Sequence, residues 1–260
     1  MFDFQIFISK LFFTMNLCID IGNSTTKVGV FDNNILKHFI LVENIIKTDE
    51  IKQICNRFEI DACIISSTAK SDCEIYNFLQ KTVPILVELT EKTKIPIKNC
   101  YKTPETLGKD RLAAVAGANF LQPNKDILVI DAGTAITFDF IDANKNYLGG
   151  AISPGLSVRF RALNEFTGRL PLVQIAENQS IELIGNDTKT SILSGVVNGI
   201  IFEIDSYICA LKEKNPSISV FLSGGNADFL SKRLKNSVLI EKSLVLIGLN
   251  RILEFNLKNN

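Results

Sequence analysis

Short apolar runs of strand length and longer stripes with helical spacing are distributed along the chain, and together they predict an α/β protein. Residues 127–130 are four consecutive apolar residues, which is the length and composition of a buried strand. After a turn, strand-forming residues resume at Ile136 and Phe138. Residues 48–58 carry apolar side chains spaced as on one face of a helix. Further helices are predicted at residues 112–121, 191–211 and 243–257.

A carboxylate, a glycine and two hydroxyl groups follow the strand at residues 127–130. They belong to Asp131, Gly133, Thr134 and Thr137. A carboxylate at the end of a buried strand can hold a cation or its water shell, and a glycine lets backbone N–H groups approach phosphate oxygens. The motif therefore suits a phosphate or metal site. An ordinary hairpin accounts for the same residues, and the motif alone does not separate the two interpretations.

The same motif stands near the start of the chain, in residues 17–31. Asp20 aligns with Asp131, and a glycine follows two residues later in both places. The same alignment places Thr26 on Thr137. Two such motifs about one domain apart predict a duplicated fold that holds one ligand between its halves. The alternative is two unrelated hairpins. It requires the same combination of carboxylate, glycine and hydroxyl to occur by chance at both places.

A third polar cluster lies where a loop meets the helix predicted at residues 112–121. It consists of Gly108, Asp110 and Arg111. Helix N-termini favour anions because of the helix dipole and the free N–H groups of the first turn. We therefore expect an anionic ligand at this junction.

The domain boundary is predicted at the short linker of residues 122–126. The chain then consists of an extension at residues 1–14, a first half at 15–122 and a second half at 123–260. In the second half, the helix predicted at residues 191–211 carries Gly195 and Gly199, which indicate close packing and a candidate subunit interface.

Composition excludes several classes of function. Lys plus Arg and Asp plus Glu are equal at 28 each, so no global charge points to nucleic acid or membrane as a partner. The chain has six cysteines without C-x-x-C spacing and a single histidine, His38, which makes a zinc site improbable. Unpaired core thiols fit a reducing compartment, and we expect the protein to be cytoplasmic.

Residues 1–14 are rich in Phe and Ile but contain Asp3 and Gln5. The segment has no basic start and no small-residue cleavage site, and its apolar content is too short and broken for a membrane span. Because Met15 directly precedes the first predicted strand, we interpret the segment as an extension whose removal leaves the kinetics unchanged.

The ordered set of motifs resembles the acetate and sugar kinase, chaperone ATPase and actin superfamily, and more narrowly type III pantothenate kinase. The matching segments occur in the family's order. They are DIGNSTTK at residues 20–27, GKDR at 108–111, DAGT at 131–134 with Thr137, GGAISPG at 149–155 and GNDT at 185–188. The resemblance implies an actin-like ATPase fold, ribonuclease H-like and duplicated, with its two halves around a nucleotide cleft.

The resemblance also implies a reaction, ATP-dependent phosphorylation of pantothenate to 4'-phosphopantothenate, and a role for each matching residue. Asp110 would be the catalytic proton acceptor. The ATP contacts would be Asp20, Ile21, Gly22, Asn23, Ser24, Thr25, Thr26, Lys27 and Thr134. The pantothenate contacts would be Tyr101, Gly108, Lys109, Asp110, Arg111 and Thr188.

The implied cofactors are Mg²⁺ with ATP, held by Asp20 through water, and a monovalent cation, K⁺ or NH₄⁺, at Asp131. In the family the monovalent cation lies where two subunits meet, so the resemblance implies a homodimer. Lys109 departs from the small or apolar residue more usual at that position.

Structural alternatives exist for each role. Asp110 could cap the helix and pair with Arg111, Asp20 could be a turn carboxylate, and Lys27 could be a solvated strand residue. Tyr101 could serve only in packing, without contacting a substrate. For the whole chain, the alternatives are a non-catalytic transcription accessory factor on the same fold and a kinase for another small hydroxylated metabolite.

Overall fold

The structure is a computed structural model that describes residues 15–67, 73–176 and 179–259. The extension at residues 1–14 lies outside the described residues, so its interpretation stays a prediction. The chain divides into two compact units. The first unit comprises Met1–Pro123 and Ser243–Asn260, and the second comprises Asn124–Lys242.

Strands and helices of the described residues are numbered in chain order. They are β1 (Met15–Ile21), β2 (Thr25–Asp32), β3 (Ile35–Glu43), α1 (Thr48–Arg57), β4 (Ala62–Ser67), α2 (Cys73–Thr82), β5 (Ile85–Glu88), β6 (Lys98–Asn99), a 3₁₀ turn (Pro104–Thr106), α3 (Lys109–Leu121), β7 (Ile127–Ala132), β8 (Ala135–Ile141), β9 (Asn146–Pro154), α4 (Leu156–Glu165), α5 (Thr188–Lys214), β10 (Ser219–Ser223), α6 (Ala227–Ser231), β11 (Leu239–Ile240) and α7 (Leu244–Lys258).

In the first unit the strands lie in the order β3-β2-β1-β4-β5. Strand β1 is antiparallel to β2 and parallel to β4. Leu17 and Ile19 point to one face of the sheet and join the apolar cluster formed with α1 and α2. Asn16 and Asp20 point to the opposite face, because successive residues of a strand alternate. There the side-chain amide of Asn16 donates to the Oδ1 atom of Asn250 in α7 (2.8 Å).

Helices α3 and α7 contact each other closely through two glycines. A Cβ atom at Gly248 would lie 1.7 Å from the carbonyl oxygen of Ala113, and a Cβ atom at Gly117 would lie 2.4 Å from that of Leu244. Only glycine allows the two backbones to approach this closely. Because an early residue of α7 meets a late residue of α3, and a later one meets an earlier one, the two helices are antiparallel.

The last helix therefore belongs to the first unit, which differs from the predicted second half at residues 123–260. The second unit begins at Asn124, one residue after the predicted start of that half. The difference has a physical reason: an apolar helix pattern indicates that a face is buried but not which core covers it.

The second unit repeats the strand pattern of the first. Its strands lie in the order β11-β10-β7-β8-β9. Strand β7 is antiparallel to β8 and parallel to β10, as β1 is to β2 and β4. The predicted duplication is confirmed at the level of strand order and direction.

Helix α5 is long and apolar enough to cross a membrane by length and composition alone. This is weak evidence, because the helix contributes Ile200 and Ile204 to the apolar core of the second unit. The carboxylate of Asp205 on the same helix is buried and accepts the backbone N–H groups of Lys235 and Asn236 (3.1 Å each). These contacts are those of a core helix.

The close packing expected at Gly195 and Gly199 does not occur within the described chain. A Cβ atom at Gly195 would meet nothing within 4 Å, and one at Gly199 would meet only the Nη1 atom of Arg159 at 3.9 Å. The glycines that permit close helix contact are instead those of α3 and α7.

Candidate functional site

The first hairpin places a buried carboxylate beside an exposed turn. Asp20 is 5% exposed and lies at the end of β1. The N–H group of Gly22 donates to the carbonyl oxygen of Thr25 (2.9 Å), and this bond closes the turn. Asn23 and Ser24 form its exposed tip. The turn thus offers backbone and hydroxyl groups next to an acidic residue, as a phosphate-binding loop requires.

Thr26 is directed into the first unit rather than towards a ligand. Its side chain is fully buried. The hydroxyl donates to the carbonyl oxygen of Asn44 (2.8 Å) and accepts the N–H group of Ile46 (3.3 Å). Because these bonds occupy the hydroxyl, the predicted ATP contact at Thr26 is restricted to its backbone.

The two hairpins differ in length by one residue. Asp20 pairs with Lys27, whereas Asp131 pairs with Thr137. The alignment of Thr26 with Thr137 is therefore wrong, and Thr137 is equivalent to Lys27. Since neighbouring residues of a strand point to opposite faces, the shift separates the two threonines. Lys27 shares the face of Asp20.

At the start of α3, the predicted substrate loop forms a compact cluster. Gly108 is the N-cap residue and Lys109 is the first helical residue. The Oδ1 atom of Asp110 accepts the backbone N–H group of Arg111 (2.8 Å). Arg111 is only 6% exposed, and its guanidinium carbon lies 5.7 Å from the ring centre of Tyr101. Asp110 is therefore not the N-cap, although it satisfies one N–H group of the first turn.

Helix α3 is linked to β1 through α7. The contact of Asn16 with Asn250 joins β1 to the middle of α7. Ala113 of α3 lies against Gly248, two residues before Asn250 on the same helix. The first turn of α3, which carries Asp110, is therefore held in the first unit beside the helix that contacts β1.

In the second unit, the end of β9 and Gly155, the N-cap residue of α4, pack against the equivalent hairpin. Gly133 donates its N–H group to the carbonyl oxygen of Ala135 (3.0 Å). The N–H group of Gly155 donates to the carbonyl oxygen of Thr134 (2.9 Å). A Cβ atom at Gly155 would lie 2.3 Å from the carbonyl oxygen of Gly133, so this position requires glycine. Thr134 is exposed, as a residue that touches ATP must be.

The double-glycine turn after β10 lies directly on Asp131. Gly224 has a φ angle of 90°, which favours glycine. A Cβ atom at this position would lie 2.5 Å from the Oδ1 atom of Asp131. The next residue, Gly225, borders a cavity of about 580 Å³ that Phe229 and Arg233 also line. The guanidinium carbon of Arg233 lies 3.9 Å from the ring centre of Phe229.

Thr188, the predicted substrate contact of the second unit, is exposed at the start of α5. Asp187 caps this helix by accepting the N–H group of Thr190 (2.8 Å), and this hydrogen bond lowers the pKa of the Asp187 carboxyl. Thr188 lines an open cavity of about 1050 Å³ together with Arg159 and Phe166.

Arg159 and Arg233 were not singled out in the sequence, because an arginine outside any motif usually marks a solvated surface. Arg159 instead donates to the carbonyl oxygen of Pro154 (2.7 Å) and pairs with Glu203 of α5.

The donors of both hairpins are oxygen atoms, which Mg²⁺ and K⁺ prefer over nitrogen and sulfur ligands. No group of three or more His, Cys, Asp and Glu side chains with metal-binding geometry occurs among the described residues. A single carboxylate next to the turn of each hairpin fits a cation that takes its remaining ligands from phosphate oxygens, backbone carbonyls and water.

Comparison with known proteins decides the family. A family model for type III pantothenate kinase matches residues 16–210. The type III pantothenate kinase of Phocaeicola vulgatus is 43% identical over 242 residues, which cover 93% of this chain and 99% of the relative. The chain belongs to the type III pantothenate kinase family. The family's enzyme from Flavobacterium psychrophilum is 40% identical with the same coverage. As a type III pantothenate kinase family member, the chain is a kinase that uses ATP with a divalent metal ion.

Solved structures agree with the actin-like fold expected for the family. A structure described as a putative Baf family transcriptional activator from Campylobacter jejuni matches with a TM-score of 0.60 and 23% identity, covering 93% of this chain and 99% of the other. A ROK hexokinase from Thermus thermophilus matches with a TM-score of 0.52 and 14% identity, covering 94% and 100%. At these identities the likeness concerns the fold.

Replacement of Thr26 by Val should destabilise the protein rather than weaken ATP binding. The substitution removes two buried hydrogen bonds, and we expect the free energy of unfolding to fall by about 1–3 kcal/mol. Thr26→Ser keeps the hydroxyl, so its free energy of unfolding should fall less. Urea unfolding of both variants, with the KM for ATP as the second readout, measures the effect. An unchanged free energy of unfolding with a raised KM for ATP would assign the hydroxyl to the nucleotide instead.

Proposed function

We propose that this chain transfers the terminal phosphate of ATP to the primary hydroxyl of pantothenate, the first step of coenzyme A synthesis, with Asp110 as the proton acceptor. Membership of the type III pantothenate kinase family makes the overall reaction that of an ATP-dependent pantothenate kinase. One observation supports the residue roles above all: the helix that carries Asp110 in its first turn packs through α7 on β1, the strand that carries Asp20, within one unit.

Phosphoryl transfer depends mainly on positioning and charge neutralisation, because its transition state is loose. The hydroxyl oxygen of pantothenate forms a bond to the γ-phosphorus of ATP while the bond from that phosphorus to the bridging oxygen of ADP breaks. ADP leaves with the electron pair of the broken bond. The proton of the attacking hydroxyl passes to the carboxylate of Asp110. A carboxylate is adequate as a late proton acceptor of this kind.

Arg111 is proposed to bind the carboxylate of pantothenate through a bidentate pair. Its guanidinium is buried against the ring of Tyr101, which limits its freedom and so lowers the entropic cost of binding. Gly108 and Lys109 would form the backbone of the same loop. Thr188 is proposed as a further substrate contact.

Asp20 is proposed to hold Mg²⁺ through water, because Mg²⁺ keeps several of its water ligands when it binds phosphates. Its buried position beside the exposed turn supports this role. The backbone of that turn, with Lys27 on the face of Asp20, would neutralise phosphate charge. Thr134 would contact ATP from the equivalent turn of the second unit.

Asp110→Asn should lower kcat by at least about 100-fold, because the amide cannot accept the proton. Asparagine keeps an oxygen for the N–H group of Arg111, so the melting temperature should not change. A coupled ADP-release assay with pantothenate measures kcat and both KM values. Glu105→Gln, in the exposed 3₁₀ turn before α3, is the matched control and should retain wild-type kinetics. Retention of more than about a tenth of the wild-type kcat by Asp110→Asn would refute the base role.

A monovalent cation at Asp131 is the second proposed feature. ATP and Mg²⁺ bring dense charge into the site, and a large, weakly hydrated cation can bridge a carboxylate, backbone carbonyls and phosphate oxygens. The turn at Gly224 supports this role, because it brings backbone against the carboxylate of Asp131 with no side chain between them.

Activity should therefore depend on K⁺ or NH₄⁺ and fall in buffers that contain only Na⁺. Asp131→Asn should raise the K⁺ concentration for half-maximal activity by about tenfold or more, since the cation loses its charged ligand. Activity is measured in K⁺, NH₄⁺ and Na⁺ chlorides at constant ionic strength. Full activity of the wild-type protein in Na⁺ alone would remove the cation assignment.

A homodimer is the third proposed feature, and an exposed apolar surface on the second unit supports it. Phe166 is 84% exposed, Leu183 is 62% exposed and Ile184 is 80% exposed. Exposed apolar side chains of this size commonly mark protein–protein interfaces. Gly195 on the nearby helix α5 leaves open space in which another backbone can approach.

Ile184→Glu should convert the dimer to a monomer, because it places a charge in the apolar contact. Size-exclusion chromatography with light scattering gives the mass. Ile35→Glu, at a 61% exposed position of the first unit, is the control and should leave the dimer intact. A monomeric wild-type protein at micromolar concentration would contradict the dimer. The cytoplasmic location stays a prediction beside these three proposals.

A further inference from the structure

A buried serine lies beside each of the two hairpin aspartates. In the first unit, Ser66 of β4 is the register partner of Asp20 on β1. In the second unit, Ser223 of β10 is the register partner of Asp131 on β7. Both strand pairs are parallel, and side chains in register on parallel strands point to the same face. Each serine therefore shares a sheet face with its aspartate.

Both serine hydroxyls are buried without a hydrogen-bond partner among the described residues. Ser66 and Ser223 are each 0% exposed, and neither Oγ atom has a partner. Burial of a polar group that lacks a partner is costly, and alanine would avoid the cost. Ser194, also buried, behaves in the usual way, because its hydroxyl donates to the carbonyl oxygen of Leu183 (2.5 Å).

A buried serine without a hydrogen-bond partner among the described residues is found beside a hairpin aspartate in both units, at equivalent positions. Strand β4 stands to β1 as β10 stands to β7, so the same pair of side chains recurs in both copies of the duplicated sheet. A packing accident in one unit would not explain the other. The shared feature is a hydroxyl oxygen adjacent to a carboxylate at a predicted cation position. A hydroxyl group can donate a hydrogen bond to a phosphate oxygen through its O–H and accept one from coordinated water through its oxygen.

We propose that Ser66 and Ser223 are positioning residues for the two cations. The hydroxyl of Ser66 bonds to a water molecule in the hydration shell of Mg²⁺ at Asp20. The hydroxyl of Ser223 bonds to the monovalent cation at Asp131 or to one of its water ligands. This inference rests on the cation roles proposed above, because it uses both aspartates as the primary ligands.

The test measures binding without turnover. The melting temperature is recorded with a non-hydrolysable ATP analogue while either Mg²⁺ or K⁺ is titrated. Ser66→Ala should raise the Mg²⁺ concentration at half-maximal stabilisation by about 3–10-fold, as expected for the loss of one hydrogen bond, and leave the K⁺ midpoint unchanged. Ser223→Ala should raise the K⁺ midpoint by a similar factor and leave the Mg²⁺ midpoint unchanged. Without ligands, both variants should melt at or above the wild-type temperature, because alanine removes an unsatisfied hydroxyl.

Ser194→Ala is the matched control. It removes a satisfied hydrogen bond, so it should lower the ligand-free melting temperature and leave both cation midpoints unchanged. Ser66→Cys and Ser223→Cys provide a second pair of variants with little change in volume. Sulfur is a poor ligand and hydrogen-bonding partner for hard cations and their water, so these variants should show the same shifts as alanine.

Unchanged midpoints in the alanine and cysteine variants would overturn the proposal, and so would a lowered ligand-free melting temperature without a midpoint shift. Failure of the proposed function is distinguishable from this result. A wild-type protein whose stabilisation depends on neither cation would overturn the cation roles and this proposal together. If the wild-type protein depends on both cations and the serine variants keep the wild-type midpoints, the serine proposal alone is overturned.

Discussion

In each unit a central strand runs between an antiparallel hairpin partner and a parallel neighbour, and this pairing constrains everything around it. Residues of β1 and β7 alternate between two faces, and one face is committed to an apolar core. Once Ile19 is in that core, Asp20 must point to the other face. Ile130 fixes the direction of Asp131 in the same way. Core formation, rather than any local preference of the carboxylates, therefore sets where the acidic groups point.

The duplication gives each unit an equivalent carboxylate. Differences between the two units then give these carboxylates different surroundings, as their different proposed roles require. The first hairpin is longer by one residue, which turns Thr26 into a structural residue and leaves Lys27 beside the carboxylate. Only the first unit adds α3, which carries Asp110. In the second unit, the residue after the β10 serine is Gly224, and its lack of a side chain lets the turn lie on Asp131. Similar sheets thus place their carboxylates in different surroundings, which suits the different roles proposed for Asp20 and Asp131.

Local features of the fold could be predicted from the sequence, whereas long-range features could not. The apolar run at residues 127–130 lies within β7, and the helix predicted at 112–121 lies within α3, because periodicity reports a residue's own element. The candidate carboxylates were found for the same reason. Hairpin register depends on turn geometry, so Thr26 was aligned one residue off. The partner of α7 depends on contacts between Gly117 and Gly248 across the chain, which no local pattern contains.

The contact between α3 and α7 shows how a distant segment can fix the helix that carries the proposed base without supplying a catalytic group. At Gly248 the two backbones touch, so no flexible side chain separates the helices. Helix α7 is in turn joined to β1 through Asn250. The position of α3, and with it of Asp110, relative to β1 is therefore set by backbone contacts and a buried hydrogen bond. A loose transition state gains most from such fixed positioning, because there is little covalent chemistry for the protein to perform. The final helix, which the sequence pattern presents only as a closing helix, would then be part of what holds the proposed base in place.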